Sequence, residues 1–498
     1  MKYTLLIILL AFCMTSCNDW LDVRPRTEQK DYDQFSTVDG FFDALVGTYM
    51  EMAATDAYGE RLTISNVESL ANQWYMPESN VYSSRLEDWY LTAHNYTSTD
   101  GRTAIAAFYA KLFSIIANAN MVIRYADEQG DVFVDTTMRN MVQGEAYAIR
   151  AYCQLDVLRI FGQMPQGGSR QVQLPYSFTT SISEMPAYYS FDEYVELLKR
   201  DLAEAERLLE NNDPLFEYTF AELSQENDDI PDNHLLYRQF RLNYWAVKAL
   251  QARTHLYLGE TADAYRIAKE IIDAKGPDGN PVRSMTGATD IPNGYRLCPN
   301  ECLFALSKHD IMTNTIDFLL GGATDVTFSD GYDLGLSTTR LNELYAGEIT
   351  NGNLRYAECW RTGVRDNSNQ PNWAVTMKYW WEEDEESAML NCQLVPMLRM
   401  SEVYLIAMET STDLAEVNGW YKTYMVQRNV GTSTDFASLD AVRTWVRAEY
   451  CREFIAEGQA FYTYKRAGAT TMFGTDRTMG ESDYILPLPD TEYNPNNL

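Results

Sequence analysis

Apolar residues recur at helical spacing, with many alanines among them, over about 39–54, 104–127, 135–161, 191–210, 242–258, 261–275, 396–410 and 439–457. A helix brings every third or fourth side chain to one face, so this spacing predicts amphipathic helices. Strand-like alternation is rare and short. The pattern predicts an all-α fold whose scaffold runs mainly over 39–275 and 396–460. Between these stretches, 56–100, 212–235 and 276–395 are rich in Gly, Pro, Asn, Asp and aromatic residues. They are too long to be simple connectors, and long loops on a rigid scaffold tend to carry function.

The stretch "NYWAVKALQARTHLYLGETADAYRIAKEIIDA", residues 243–274, is the most regular. Its first helix sets Ala246, Ala249, Ala252 and Leu256 on one stripe and breaks at Gly259. Its second restarts with Thr261 as the expected N-cap and carries Ala264, Ile267, Ala268 and Ile271. Small residues on facing stripes let two helices pack closely, and glycine takes the left-handed turn between them. This pair resembles a tetratricopeptide unit. Less regular pairs fall at 104–161 and 396–428. Such units bury little alone and must stack.

The opening, "LLIILLAFCMTSCNDWLDVRP", is of another kind. Its uncharged run from Leu5 to Phe12 follows a single Lys2. It is far short of the ~20 residues that span a bilayer, so residues 1–16 read as a secretory signal. Met14-Thr15-Ser16-Cys17 resembles the bacterial lipobox, in which the cysteine takes a diacylglycerol and becomes the first mature residue. Acyl chains contribute roughly 0.8 kcal/mol per buried methylene, enough to hold the following domain, 17–498, at a membrane. No later stretch is expected to be long and apolar enough to cross one.

Charge and chemistry narrow the picture mainly by exclusion. With 40 basic and 71 acidic side chains the formal charge is −31, a field that repels phosphate backbones and argues against nucleic acid. His94, His234, His255 and His309 are isolated from one another and from any cysteine pair, so there is no zinc signature. Beyond Cys13 and Cys17, six cysteines are scattered over the chain, with only Cys298 and Cys302 in "CPNEC" close enough for a local disulfide. No nucleophile elbow, phosphate loop or H-E-x-x-H appears, so neither catalysis nor a cofactor is expected. "WWEEDEESAML" (380–390) lacks the spaced oxygen ligands of a calcium loop and reads as a solvated acidic loop. Aromatic residues make up 13% of the chain, which suits either stacking on ligands or dense helix packing.

Seven stretches, in order, resemble the SusD/RagB-like outer-membrane nutrient-binding lipoproteins of Bacteroidetes. They are "CNDWLDVRP" (17–25), "AFYAKLFSIIANANMVI" (107–123), "GEAYAIRAYCQLDVLRIFGQMP" (144–165), "LRMSEVYLIAMET" (398–410), "QRNVG" (427–431), "EYCREFIAEGQAFYTYKRAG" (449–468) and "YILPLPDTEYNPN" (484–496). The chain departs from the family pattern at Tyr450, Ala460 and Thr463. It retains Glu449, Glu453, Glu457, Gly458 and Arg466, which are expected to form a buried polar network.

The resemblance implies a cell-surface lipoprotein of the outer membrane, anchored through Cys17, with Asp19 and Asp22 fitting an acidic surface-export signal. It implies capture of an oligomeric nutrient, with oligosaccharide ahead of oligopeptide, and delivery to a SusC-like TonB-dependent barrel. A helix-repeat scaffold without a small ligand is the competing reading. Within the loops where the family's ligand contacts lie, the candidates are Trp74, Tyr75, Tyr82, Arg85, Trp89 and Tyr90. A second group lies in 356–381: Trp360, Trp373, Trp380 and Trp381. Flat rings stack on the apolar face of a sugar while Arg fixes polar edges.

Overall fold

The computed structural model describes residues 26–76, 85–181, 184–319, 334–346, 352–364, 372–381, 392–431 and 434–492. Within them the chain is mostly helical, as the periodicity predicts. The principal helices are Val38–Met52, Thr99–Glu128, Thr136–Phe161, Phe191–Leu209, Tyr244–Leu258, Thr261–Asp273, Met400–Thr410, Leu414–Val426 and Leu439–Glu453. The lipid-site expectation at Cys17 and the acidic run 382–386 lie outside the described residues.

Most of these helices begin where a short polar side chain takes an otherwise unpartnered backbone N–H. Thr37 accepts from the amide of Gly40, Ser98 from Gly101, Asp135 from Thr137, Asn243 from Ala246, and Ser438 from Ala441. The 244–258 helix ends as expected at Gly259, whose φ of 78° only glycine adopts without strain. One expectation fails: the N-cap of the next helix is Glu260, not Thr261, and its side chain makes no cap bond. Glu260 is instead turned to Lys199 and His255, at 2.5 Å each.

The helices stack in sequence, 99–128 on 136–161, then 191–209, then 244–258 and 261–273. The array does not stop at Asp273. The 261–273 helix packs directly on 400–410, which in turn packs on 414–426 and 439–453. The described parts of 276–393 therefore form an excursion between two helices that pack directly on each other. Strands Cys302–Ser307 and Leu394–Arg399 pair antiparallel, from Ser307 with Leu394 to Cys302 with Arg399, and close the base of the excursion. The expected helix start at 396 is corrected by this pairing: 394–399 is buried strand, and the helix begins at Met400. A second small sheet, in the order 336–337, 373–376, 360–364, sits within the excursion.

The 99–128 helix alone among the described residues is long and apolar enough to cross a membrane. That overturns the expectation of no such stretch. Its apolar side is nevertheless spent inside the fold, where Ile105, Phe108, Leu112, Ile115 and Ile116 are core residues.

The residues that carry the family resemblance are buried polar clasps between helices. Arg150 holds Asp201 with two bonds of 2.6 and 2.7 Å and donates to Asn120 Oδ1, while Asn120 Nδ2 donates to the carbonyls of Ser177 and Thr179. Glu145 accepts from Tyr49 and from Arg238. Arg253 grips Glu402 at 2.8 and 2.6 Å, tying 244–258 to 400–410. The largest clasp centres on Glu453, which accepts from Arg355, Arg399 and Arg428. Arg399 and Lys378 also hold Glu457, and Arg428 reaches Glu301 at 3.2 Å. The network expected from Glu449, Glu453 and Glu457 is thus present and fully buried. Arg466 stands apart from it, paired with Glu409. Cys298, Glu301 and Glu453 lie close enough to hold a cation, but guanidinium groups already occupy the carboxylates. All six described cysteines are buried free thiols, including Cys298 and Cys302.

Candidate functional site

The two aromatic regions singled out from the sequence meet in space. After helix Asn66–Leu70 the chain turns at Asn72, φ 55°, and the backbone N–H of Tyr75 donates to Gly335 O at 2.8 Å. Gly335 leads into strand Leu336–Ser337, which pairs with Trp373–Thr376. The Tyr75 and Trp373 rings thereby come to 5.6 Å, tilted by 49°. Helix Thr338–Leu344, capped by Ser337, sets the Arg340 guanidinium 4.5 Å from the centre of the Tyr75 ring. Arg340 also donates to the carbonyl of Gly474, and partial burial lowers its pKa. Trp373 is buried, whereas Tyr75 and Arg340 remain half-exposed. The result is a ring with a cation across one face and open area beside it, chemistry suited to a flat, partly polar ligand.

The other candidates divide. Trp74 is a core residue with no exposed surface, and its indole N–H donates to Ile64 O at 2.8 Å. The expectation that it stacks on a ligand is corrected, because its ring is enclosed in the core. Trp381 is buried likewise and offers no face. Arg85 is spent internally, on Glu60 at 2.9 Å and Asp88 at 3.3 Å. Asp88 accepts from Asn66 and Ser69 in turn, so this set fixes helix Leu86–Thr92 on helix 66–70. Trp89 and Tyr90 are half-exposed and meet edge to face at 4.9 Å. Trp380 is half-exposed, with the Arg361 guanidinium 5.2 Å from its ring. Tyr82 lies outside the described residues.

Arg340 was missed by sequence reasoning. It sits in no motif and is distant in sequence from Tyr75, and only the pairing of 336–337 with 373–376 brings it there. Trp373 was named in the sequence, but as a member of a separate region.

Comparison with known proteins gives this architecture its class. Residues 19–219 match the SusD-like family described as starch-binding and associating with the outer membrane. SusD-like protein P2 of Formosa agariphila is 26% identical over 166 residues, a stretch that spans 33% of this chain and 30% of that relative. A SusD superfamily protein from Bacteroides thetaiotaomicron has the same fold, with a TM-score of 0.71 at 19% identity, over 92% of this chain and 98% of that one. A crystal structure with xylogluco-oligosaccharide is similar at a TM-score of 0.58 and 17% identity, over 85% of this chain and 83% of that one. Residues 19–219 are thus similar to the SusD-like family, and the fold is shared with solved structures of SusD superfamily proteins.

Proposed function

We propose that this protein is a lipid-anchored nutrient-binding protein of the outer membrane, which captures an oligosaccharide and passes it to a SusC-like TonB-dependent transporter. The observation that carries the reading is the match of 19–219 to a family described as starch-binding and associating with the outer membrane. Two further points support it. A structure of the same fold was obtained with xylogluco-oligosaccharide. Tyr75 presents a half-exposed ring flanked by Arg340 and Trp373, and Trp89, Tyr90 and Trp380 add further half-exposed rings. In this reading Tyr75 stacks on the apolar face of a sugar while Arg340 donates to its hydroxyl groups. Cys17 carries the acyl anchor.

Electrophoresis through gels containing amylopectin or xyloglucan tests the ligand. The wild-type protein is retarded by at least one of them, and Tyr75→Ala removes the retardation. Mild detergent extraction of tagged protein from native membranes tests the partner, and a large β-barrel receptor co-purifies. Protein that ignores both polysaccharides and brings down no barrel refutes the uptake role. Partition of a Cys17→Ala variant with outer membranes refutes the anchor.

A further inference from the structure

A cleft of about 610 Å³ opens beside the candidate site. One wall is the 439–453 helix, with Arg447, Ala448, Cys451 and Arg452; the opposite wall is the loop 467–473 that follows helix Ala460–Arg466. Its polar groups fall into two sets. Arg452 is committed to Glu449 at 2.8 Å, and Cys451 is a buried thiol 3.1 Å from the Tyr464 hydroxyl. By contrast, the Arg447 guanidinium, the Glu343 carboxylate and the hydroxyls of Thr470 and Thr471 have no hydrogen-bond or ion-pair partner among the described residues. All four line the cleft, and none is buried.

The apolar side of the cleft is held in place. The Tyr464 hydroxyl accepts from the backbone N–H of Phe473 at 3.0 Å, which fixes the half-exposed Phe473 in the lining. The next residue, Gly474, gives its carbonyl to Arg340, the same arginine that lies over Tyr75. Arg340 therefore ties the Tyr75 ring to the chain immediately after Phe473, and the cleft lies beside the candidate site.

An aromatic wall, a guanidinium donor, a carboxylate acceptor and two free hydroxyls, with the opposite charges offsetting each other, suit an uncharged polyhydroxylated unit better than an ion. Resting on the reading under Proposed function, we infer that this cleft is an extension subsite for a neutral saccharide unit. A chain seated at Tyr75 runs past Arg340 and places a further sugar against Phe473. Arg447 donates to that sugar, Glu343 accepts from it, and Thr470 and Thr471 do either.

The test is calorimetric titration of the full chain with maltooligosaccharides from maltotriose to maltoheptaose and with xyloglucan oligosaccharides of rising length. Wild-type affinity rises with length until the cleft is filled. Arg447→Gln and the double variant Thr470→Val/Thr471→Val, all at unburied positions with unchanged melting, flatten that rise by about tenfold at the longest member. A wild-type length dependence in both variants overturns the subsite and leaves the uptake reading standing. Failure of the wild-type protein to bind either series at any length overturns both.

Discussion

Replacing Glu453 by Gln tests whether the family motifs are structural. The substitution keeps shape and one acceptor oxygen but removes a charge shared by three arginines. Glu453 Oε1 accepts from Arg399 at 2.5 Å and Arg428 at 2.8 Å, and Oε2 from Arg355 at 2.7 Å and Arg428 Nε at 3.0 Å. The glutamine amide replaces an acceptor with a donor, so at least one guanidinium N–H loses its acceptor, and the remaining carboxylates must balance the same positive charge. Removing one member of a buried ion pair costs about 3–5 kcal/mol, against a total stability of about 5–15 kcal/mol for a folded domain. Urea unfolding followed by tryptophan fluorescence should show a midpoint loss of that order. Burial alone would raise the Glu453 carboxyl, but Arg428, Arg399 and Arg355 outweigh it and hold it well below the usual range. A group with a depressed folded-state pKa stabilises above its unfolded value and loses that contribution as pH falls through the folded value. The gap between wild type and variant should therefore hold at pH 5 and above, and close only well below the unfolded carboxyl value of about 4.3. A loss under about 1 kcal/mol, or energies of Glu453→Gln and Arg428→Met that simply add in the double variant, would refute the reasoning.

Three further outcomes follow from the same contacts. Trp74→Phe leaves a cavity and strands the Ile64 carbonyl, so it should lower the melting temperature with no specific effect on ligand affinity; Tyr75→Ala should do the reverse. Burial raises the Glu68 carboxyl to about 8, although it accepts the amides of Gly458 and Glu457. A raised folded-state value stabilises at low pH and loses that contribution as pH climbs towards 8, so Glu68→Gln, which keeps the acceptor oxygen, should flatten the decline in melting temperature over that window. Gly458 has a φ of 73°, and an added Cβ would meet Leu62 O at 2.5 Å, so Gly458→Ala should destabilise by more than the ~1 kcal/mol typical of a point substitution, read in the same urea assay.

The helices were legible because their information is local. Periodicity, a capping Ser, Thr, Asp or Asn and a closing glycine all act within a few residues, and the expected spans match the observed ones to within two residues except at 99–103, which the observed helix adds, and at 396–399 and 454–457, which the observed helices lack. The polar residues of the motifs were also readable as a buried network, since a cluster of Glu and Arg in a family pattern has no cheap place in a core unless its members pair. Their register with one another was not. That Arg399 answers Glu453, or that Arg253 answers Glu402, depends on how the helices stack.

The candidate site was least legible. Trp74 and Tyr75 are neighbours in sequence with the same aromatic character, yet one is core and the other half-exposed, because the backbone bond from Tyr75 to Gly335 decides which ring turns inward. Arg340 reaches that ring from a distant part of the chain. By itself the sequence determined the helical scaffold, which rests on short-range pattern, while the buried ion cluster and the likeness to SusD-like proteins were legible only through motifs that resemble that family. The tertiary structure alone decided which aromatic rings face outward and which cation stands beside them, because a surface is what remains exposed after packing, and packing is a property of the whole chain.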